Sequence, residues 1–270
     1  MKVWLKALLL SCSILTSLNL QANTEVVLDG KLIQGSLIRG EVPAGSKVQF
    51  NEQPLSVTAQ GQFVFGIGRD ASLAHQLTVI KPDDTQHIIP LQFQARQYDI
   101  QRITGVAQKY VTPPAEVTTR IQRDNRKVRA VRNTLSKQTA IFAKPHRPAE
   151  GRISGVYGSQ RVFNGEPRNP HYGLDIAAPV GAPVLAPWEG IVLLAEDLYY
   201  SGFTLIIDHG MGVSSTLMHL HAIDVVVGQH VRQGEKVAEV GATGRVTGPH
   251  LDWRINWFQE RLDPQLLLVE

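Results

Sequence analysis

The stretch Gly244-Arg-Val-Thr-Gly-Pro-His250-Leu-Asp252-Trp253 decides how this chain is read. A turn rich in Gly and Pro feeds a strand, and strand side chains alternate, so His250 and Asp252 fall on one face. An imidazole and a carboxylate turned inward from an apolar run are costly unless paired or metal-bound. Two more clusters lie upstream. His171-Tyr-Gly-Leu-Asp175 offers a nitrogen and a carboxylate oxygen, with Gly173 expected to let the backbone curve between them. Mixed nitrogen and oxygen ligation suits Zn2+. Leu217-Met-His219-Leu-His221 places two imidazoles on one face of an expected strand. Each cluster alone reads as a hydrogen-bonded structural group. Three in one region argue for a site.

The surroundings fix the fold class. From Gly151 onward, short β-rich runs are separated by Gly turns: Gly190 to Leu194, Phe203 to Asp208, Gly212 to Met218, Lys236 to Val240 and Leu251 to Trp257. This predicts a compact, mostly antiparallel β domain. Six of the nine histidines fall between His171 and His250, so histidine chemistry belongs here. His209 reads as structural because it is expected at a turn, and His146 and His230 read as loop residues.

Residues 24–98 also alternate as β, at Val48 and Phe50, Leu55 and Val57, and Phe63, Phe65 and Ile67, with Gly and Pro between the runs. A small antiparallel sandwich is expected, with His75 and His87 as ordinary surface or turn histidines. Thr112-Pro113-Pro114 breaks the chain, and Ala115 to Lys137 then reads as a helix without Gly or Pro. It carries Arg120, Arg123, Arg126, Lys127, Arg129, Arg132 and Lys137, a face for packing beside a domain or for weak contact with anionic envelope polymers.

At the other end, Lys2 and Lys6 flank an apolar run, Ala7 to Leu18, and Leu20-Gln21-Ala22 ends on a small residue. That is the layout of a secretory signal peptide cut after Ala22, with a run too short to favour a membrane span. Cleavage would remove the single cysteine, Cys12, which suits an oxidising exported compartment. The 270 residues are 43% hydrophobic and 19% charged, enough apolar material for a packed core and against wholesale disorder. A net charge of +3 does not argue for nucleic-acid binding. The resulting divisions are 1–22 signal peptide, 23–100 N-terminal β domain, 101–148 basic helical connector and 149–270 C-terminal domain.

Residues from about Gly151 to Leu268 resemble the M23 family of zinc peptidoglycan endopeptidases, of the LytM and lysostaphin type. The resemblance runs in order through Tyr157-Gly-Ser-Gln-Arg161, His171-x-x-x-Asp175, Ala177 to Pro187, His209-Gly, Met218-His219-Leu220, Val227 to Gly234 and Thr243 to His250. It implies a twisted antiparallel β peptidase fold with a groove and one zinc ion per chain. It implies His171 and Asp175 as zinc ligands, and His219 and His250 as catalytic residues. The zinc-bound water would be the nucleophile, with Tyr157 or Arg161 as a further donor to the oxyanion. The substrate it implies is the peptide cross-link of bacterial peptidoglycan, reached in the periplasm or cell envelope.

One position departs from the family pattern. The family closes on His-x-His, with the second histidine on zinc, whereas this chain reads His250-Leu251-Asp252. Asp252 occupies the matching place and can ligate through oxygen, with His221 as the substitute. Two carboxylates would make the zinc a weaker Lewis acid. The rival reading is a degenerate M23-like domain that binds peptidoglycan or regulates another hydrolase. A biotinyl or lipoyl carrier is disfavoured, because Lys236 lies in a strand-like run instead of at a hairpin tip.

Overall fold

The computed structural model describes residues 26–103, 115–163, 165–167 and 169–268. The expected signal peptide and the Pro113-Pro114 break lie outside them. Seven strands open the described chain: β1 (Val27–Asp29), β2 (Leu37–Glu41), β3 (Lys47–Phe50), β4 (Gln53–Pro54), β5 (Gln62–Gly66), β6 (Ala74–Ile80) and β7 (Gln86–Gln92). One sheet runs β1-β2-β5 and the other β4-β3-β6-β7, all antiparallel. The alternation read from sequence sets their faces. Val48, Phe50, Phe63, Phe65 and Ile67 are all buried, in one cluster with Ile38, Leu77 and Val79. Phe50 of one sheet stacks on Phe65 of the other with ring centroids 4.4 Å apart.

β8 (Ile100–Ile103) opens the segment read as a connector, yet it pairs in parallel with β10 (Gln160–Phe163). The helix that follows spans Ala115–Arg132 and ends five residues short of the expected Lys137. Its Val128 and Val131 pack on Leu194, Leu198 and Ile206. Asp124 is buried and accepts the Tyr199 N–H at 2.9 Å. Arg120 pairs with Asp197 at 2.8 Å, and Lys127 pairs with Glu196. The structure therefore redirects two of the cations expected to meet anionic polymers: they fasten the helix to its own chain. Arg132 turns inward, and its pKa is pushed down to about 9 by burial and by the charges of Arg254 and Arg261.

The second half contains β9 (Arg152–Gly155), β10, β11 (Glu166–Pro167), β12 (Leu174–Ala177), β13 (Pro183–Leu185), β14 (Gly190–Leu198), β15 (Gly202–Gly210), β16 (Val213–Ile223), β17 (His230–Val231), β18 (Lys236–Val240), β19 (Leu251–Trp257) and β20 (Glu260–Leu262). Its sheet is ordered β17-β14-β15-β16-β19-β12-β9, with β13, β18 and β20 attached beside that path. Those pairings are antiparallel. Leu205, Ile207, Leu217, Trp253 and Ile255 fill the core, which also takes in Leu37 and Val64 of the first half. Arg96 reaches across to the buried Asp263 at 2.8 Å, and Arg39 Nε donates to the Ile141 carbonyl at 2.6 Å. The mostly β class, a sandwich followed by an antiparallel peptidase-like sheet, is the one expected from sequence. No helix among the described residues is long and apolar enough to cross a membrane.

Candidate metal centre

β12 and β19 are neighbours, and their register sets Asp175 opposite Asp252. His171 precedes β12 and is anchored there by its backbone N–H, which donates to the Ser159 carbonyl at 2.9 Å. Among the described residues, His171, Asp175 and Asp252 form a group whose ligand-type atoms all lie within 4.8 Å of one another, and all three residues are buried. His171 Nε2 and Asp175 Oδ1 are 3.1 Å apart. Two donors on one tetrahedral zinc stand about 3.3 Å apart, given bonds of about 2.0–2.2 Å, so the His171–Asp175 spacing suits such an ion and Asp252 is the third candidate donor.

Two glycines clear the space. A Cβ on Gly173 would overlap Asp252 Oδ1, and one on Gly155 would overlap Asp175 Oδ2. The role of Gly173 is thus room for the opposite carboxylate, not the backbone curvature expected from sequence.

His219 and His250 stand beside the trio, with ring centroids 5.0 Å apart. His250 Nε2 is 3.8 Å from Asp175 Oδ1. Each ring donates Nδ1–H to a carbonyl, His219 to Thr243 at 2.9 Å and His250 to Gly248 at 2.8 Å. A carbonyl can only accept, so the neutral tautomer carries its lone pair on Nε2. Burial pushes the His219 pKa down to about 4, against the pull of Asp252 and with help from His250.

His219 has φ of +63° within β16. That left-handed conformation is strained for a residue with a side chain, and it breaks the strand alternation. His219 is consequently buried while His221 is exposed, so the two do not share a face as the sequence suggested. The kink is held by His219 N–H to the Ser201 carbonyl at 2.9 Å and by the Thr243 hydroxyl, which donates to the Leu220 carbonyl at 2.8 Å.

The expected oxyanion donors fare differently. Tyr157 is buried and donates its hydroxyl to the Arg261 carbonyl at 2.7 Å. Burial pushes its pKa up. Its hydroxyl proton is committed to the Arg261 carbonyl in this structure. Arg161 is placed on β10, but its side chain lies outside the described part. His209, expected at a turn, instead lies fully buried near the end of β15. Its Nδ1 donates to the Glu189 carbonyl at 2.9 Å, and Nε2 meets Ser215 Oγ at 2.8 Å.

The sequence reading missed Arg254. Its Nε lies 3.0 and 3.2 Å from the two Asp252 oxygens, and its Nη2 lies 2.6 Å from Oδ2. Burial alone would raise the Asp252 carboxyl, but Arg254 and His171 hold it well below the usual range. Alternation along His250, Asp252 and Arg254 was the available signal.

An imidazole and two carboxylates on adjoining elements of an antiparallel sheet make a donor set that could hold a metal ion, with two more imidazoles beside it. Residues 169–264, about a third of the chain, match Peptidase family M23, and this part of the chain is similar to that family. The chain is 43% identical over 86 residues to the peptidoglycan DD-endopeptidase ShyB of Vibrio cholerae, covering 32% of this chain and 20% of that protein. It is 37% identical over 105 residues to ShyA of the same organism, covering 38% and 24%. The matches therefore span about a fifth to a quarter of those relatives. A crystal structure described as an M23 peptidase of Pseudomonas aeruginosa superposes with a TM-score of 0.69 at 28% identity, covering 88% of this chain and 95% of that one. That likeness extends through the N-terminal sandwich as well as the site.

Proposed function

We propose that this protein is an exported zinc metalloendopeptidase that hydrolyses peptide cross-links of bacterial peptidoglycan. The observation that carries the reading is the buried trio of His171, Asp175 and Asp252 with His219 and His250 at its side. The V. cholerae relatives, named as peptidoglycan DD-endopeptidases, supply the substrate class. The signal-like segment at 1–22 supplies the compartment.

His171, Asp175 and Asp252 would hold the ion. The chemistry such an ion would supply is polarisation of the scissile carbonyl and acidification of water. The chain's own histidines manage the proton. His250 has its Nδ1–H committed to Gly248, so Nε2, on the Asp175 side, is the atom that takes a proton as general base. His219 is kept neutral by burial and has the same tautomer, so its Nε2 accepts a hydrogen bond and orients the attacking water. A neutral Nε2 acceptor does not donate to an oxyanion, so the role of His219 is confined to the water.

The test is digestion of purified muropeptides followed by mass spectrometry, with zinc measured on the same samples. Cleaved stem-peptide cross-links and about one zinc per chain are expected, and His171→Ala should lose both. Zinc-loaded protein that cleaves neither cross-linked nor linear stem peptides would transfer the assignment to a peptidoglycan-binding or regulatory domain.

A further inference from the structure

Arg254 lies two residues beyond Asp252 on β19, and both side chains are largely shielded, at 23% and 3% exposure. The guanidinium is a rigid, permanently charged fork whose geometry matches a carboxylate. Two of its nitrogens engage Asp252. A carboxylate has about four lone-pair positions, so this grip leaves capacity for another electrophile.

The charge count gives the pair its meaning. His171, Asp175 and Asp252 with a neutral imidazole would present two negative charges in one buried pocket. Arg254 reduces that to one. Around Arg254 the other charges felt include Arg132 and Arg261, both cations, and the anionic Asp175. Each member of the pair is therefore costly without the other, because a buried charge stripped of its partner is destabilising.

We infer that Arg254 is a positioning residue of the metal site: it fixes the Asp252 carboxylate toward His171 and Asp175 and cancels its charge, so that the pair acts as one neutral oxygen donor. This rests on the reading of His171, Asp175 and Asp252 as metal ligands. Asp252→His, which family resemblance suggests should preserve or strengthen zinc binding, would strand the Arg254 guanidinium beside Arg132 and Arg261. It should weaken both the fold and the site.

The experiment uses the full chain as wild type, Arg254→Lys, Arg254→Met, Asp252→Asn and the Asp252→Asn/Arg254→Met double variant. Zinc affinity is measured by competition with a chromophoric chelator. The visible spectrum of the Co2+-loaded protein reports ligand geometry, which a purely structural role would leave unchanged. Arg254→Met should lose roughly 10–100-fold in zinc affinity, as outer-shell changes typically do, and shift the Co2+ bands. Arg254→Lys keeps the charge without the fork and should fall between. The double variant should bind no more weakly than Asp252→Asn alone, since Arg254 acts through Asp252. Wild-type affinity and spectrum in Arg254→Met would overturn the inference, as would a full additional loss in the double variant. Should Arg254→Met fail to fold, wild-type affinity and spectrum in Arg254→Lys overturns the positioning role. A wild type that takes up no zinc removes the peptidase reading and this inference together. Normal wild-type uptake with an indifferent Arg254 removes this inference alone.

Discussion

Asp175 and Asp252 lie directly opposite each other on β12 and β19. Like charges in cross-strand register destabilise a sheet. Here His171 stands 3.1 Å from one carboxylate and Arg254 grips the other. The sheet tolerates the arrangement because cationic and imidazole partners offset it, and a divalent cation would offset it further.

Gly173, whose missing Cβ leaves room for the Asp252 carboxylate, should be as sensitive as the ligand. In Gly173→Ala the added Cβ would overlap Asp252 Oδ1 and stand 2.9 Å from the Trp253 carbonyl oxygen, which cannot easily yield. Zinc affinity should fall by about tenfold or more. Circular dichroism should stay that of a folded β protein. Unchanged zinc affinity would mean that Asp252 does not need its present position to bind metal.

Removing the proton carriers should separate chemistry from metal binding. His250→Ala and His219→Ala should each lower kcat by about 10²–10⁴-fold, the usual contribution of general acid–base groups, while zinc stoichiometry stays at the wild-type value. Stopped or end-point muropeptide assays with metal analysis give both readings. Full turnover by His250→Ala would rule out its role as base.

Stability should fall in mild acid. Burial pushes the His209 pKa down to about 4, against about 6.5 in an unfolded chain. Between those values the unfolded state binds more protons, so unfolding free energy rises with pH. This contribution is complete above about pH 6.5 and is lost as pH falls toward 4, by roughly 3 kcal/mol in total. His209→Gln should flatten that part of the profile. Thermal melts of both proteins at pH 7 and pH 5 check it, and parallel profiles would count against His209.

The helix Ala115–Arg132 should matter for stability more than for polymer binding. Asp124→Ala leaves the Tyr199 N–H without its acceptor, at a cost of about 1–3 kcal/mol. Neutralising Arg120 and Lys127 removes exposed pairs worth less than about 1 kcal/mol each. Binding to isolated sacculi should be unchanged in the Arg120→Gln/Lys127→Gln variant. A clear loss of binding there would restore the polymer-contact reading.

Much of this protein is determined by local sequence. Period-two alternation at Val48 and Phe50, and at Phe63, Phe65 and Ile67, already implied a sandwich, because only one strand face can be buried. The Gly-punctuated runs gave β14, β15, β16, β18 and β19 close to their observed bounds. That His171, Asp175, Asp252, His219 and His250 gather in one place was legible, because polar groups inside apolar runs must find partners. Tertiary structure decided what spacing cannot express. Cross-strand register brought Asp175 opposite Asp252. A left-handed residue at His219 turned that ring inward and sent His221 to solvent, which no alternation rule anticipates. Tyr157 spends its hydroxyl on the Arg261 carbonyl, a partner 104 residues away. Arg120 and Lys127 found acids on β14, and Arg254 found Asp252. Each outcome depends on which strands become neighbours and where the backbone bends, and those are properties of the whole packed core.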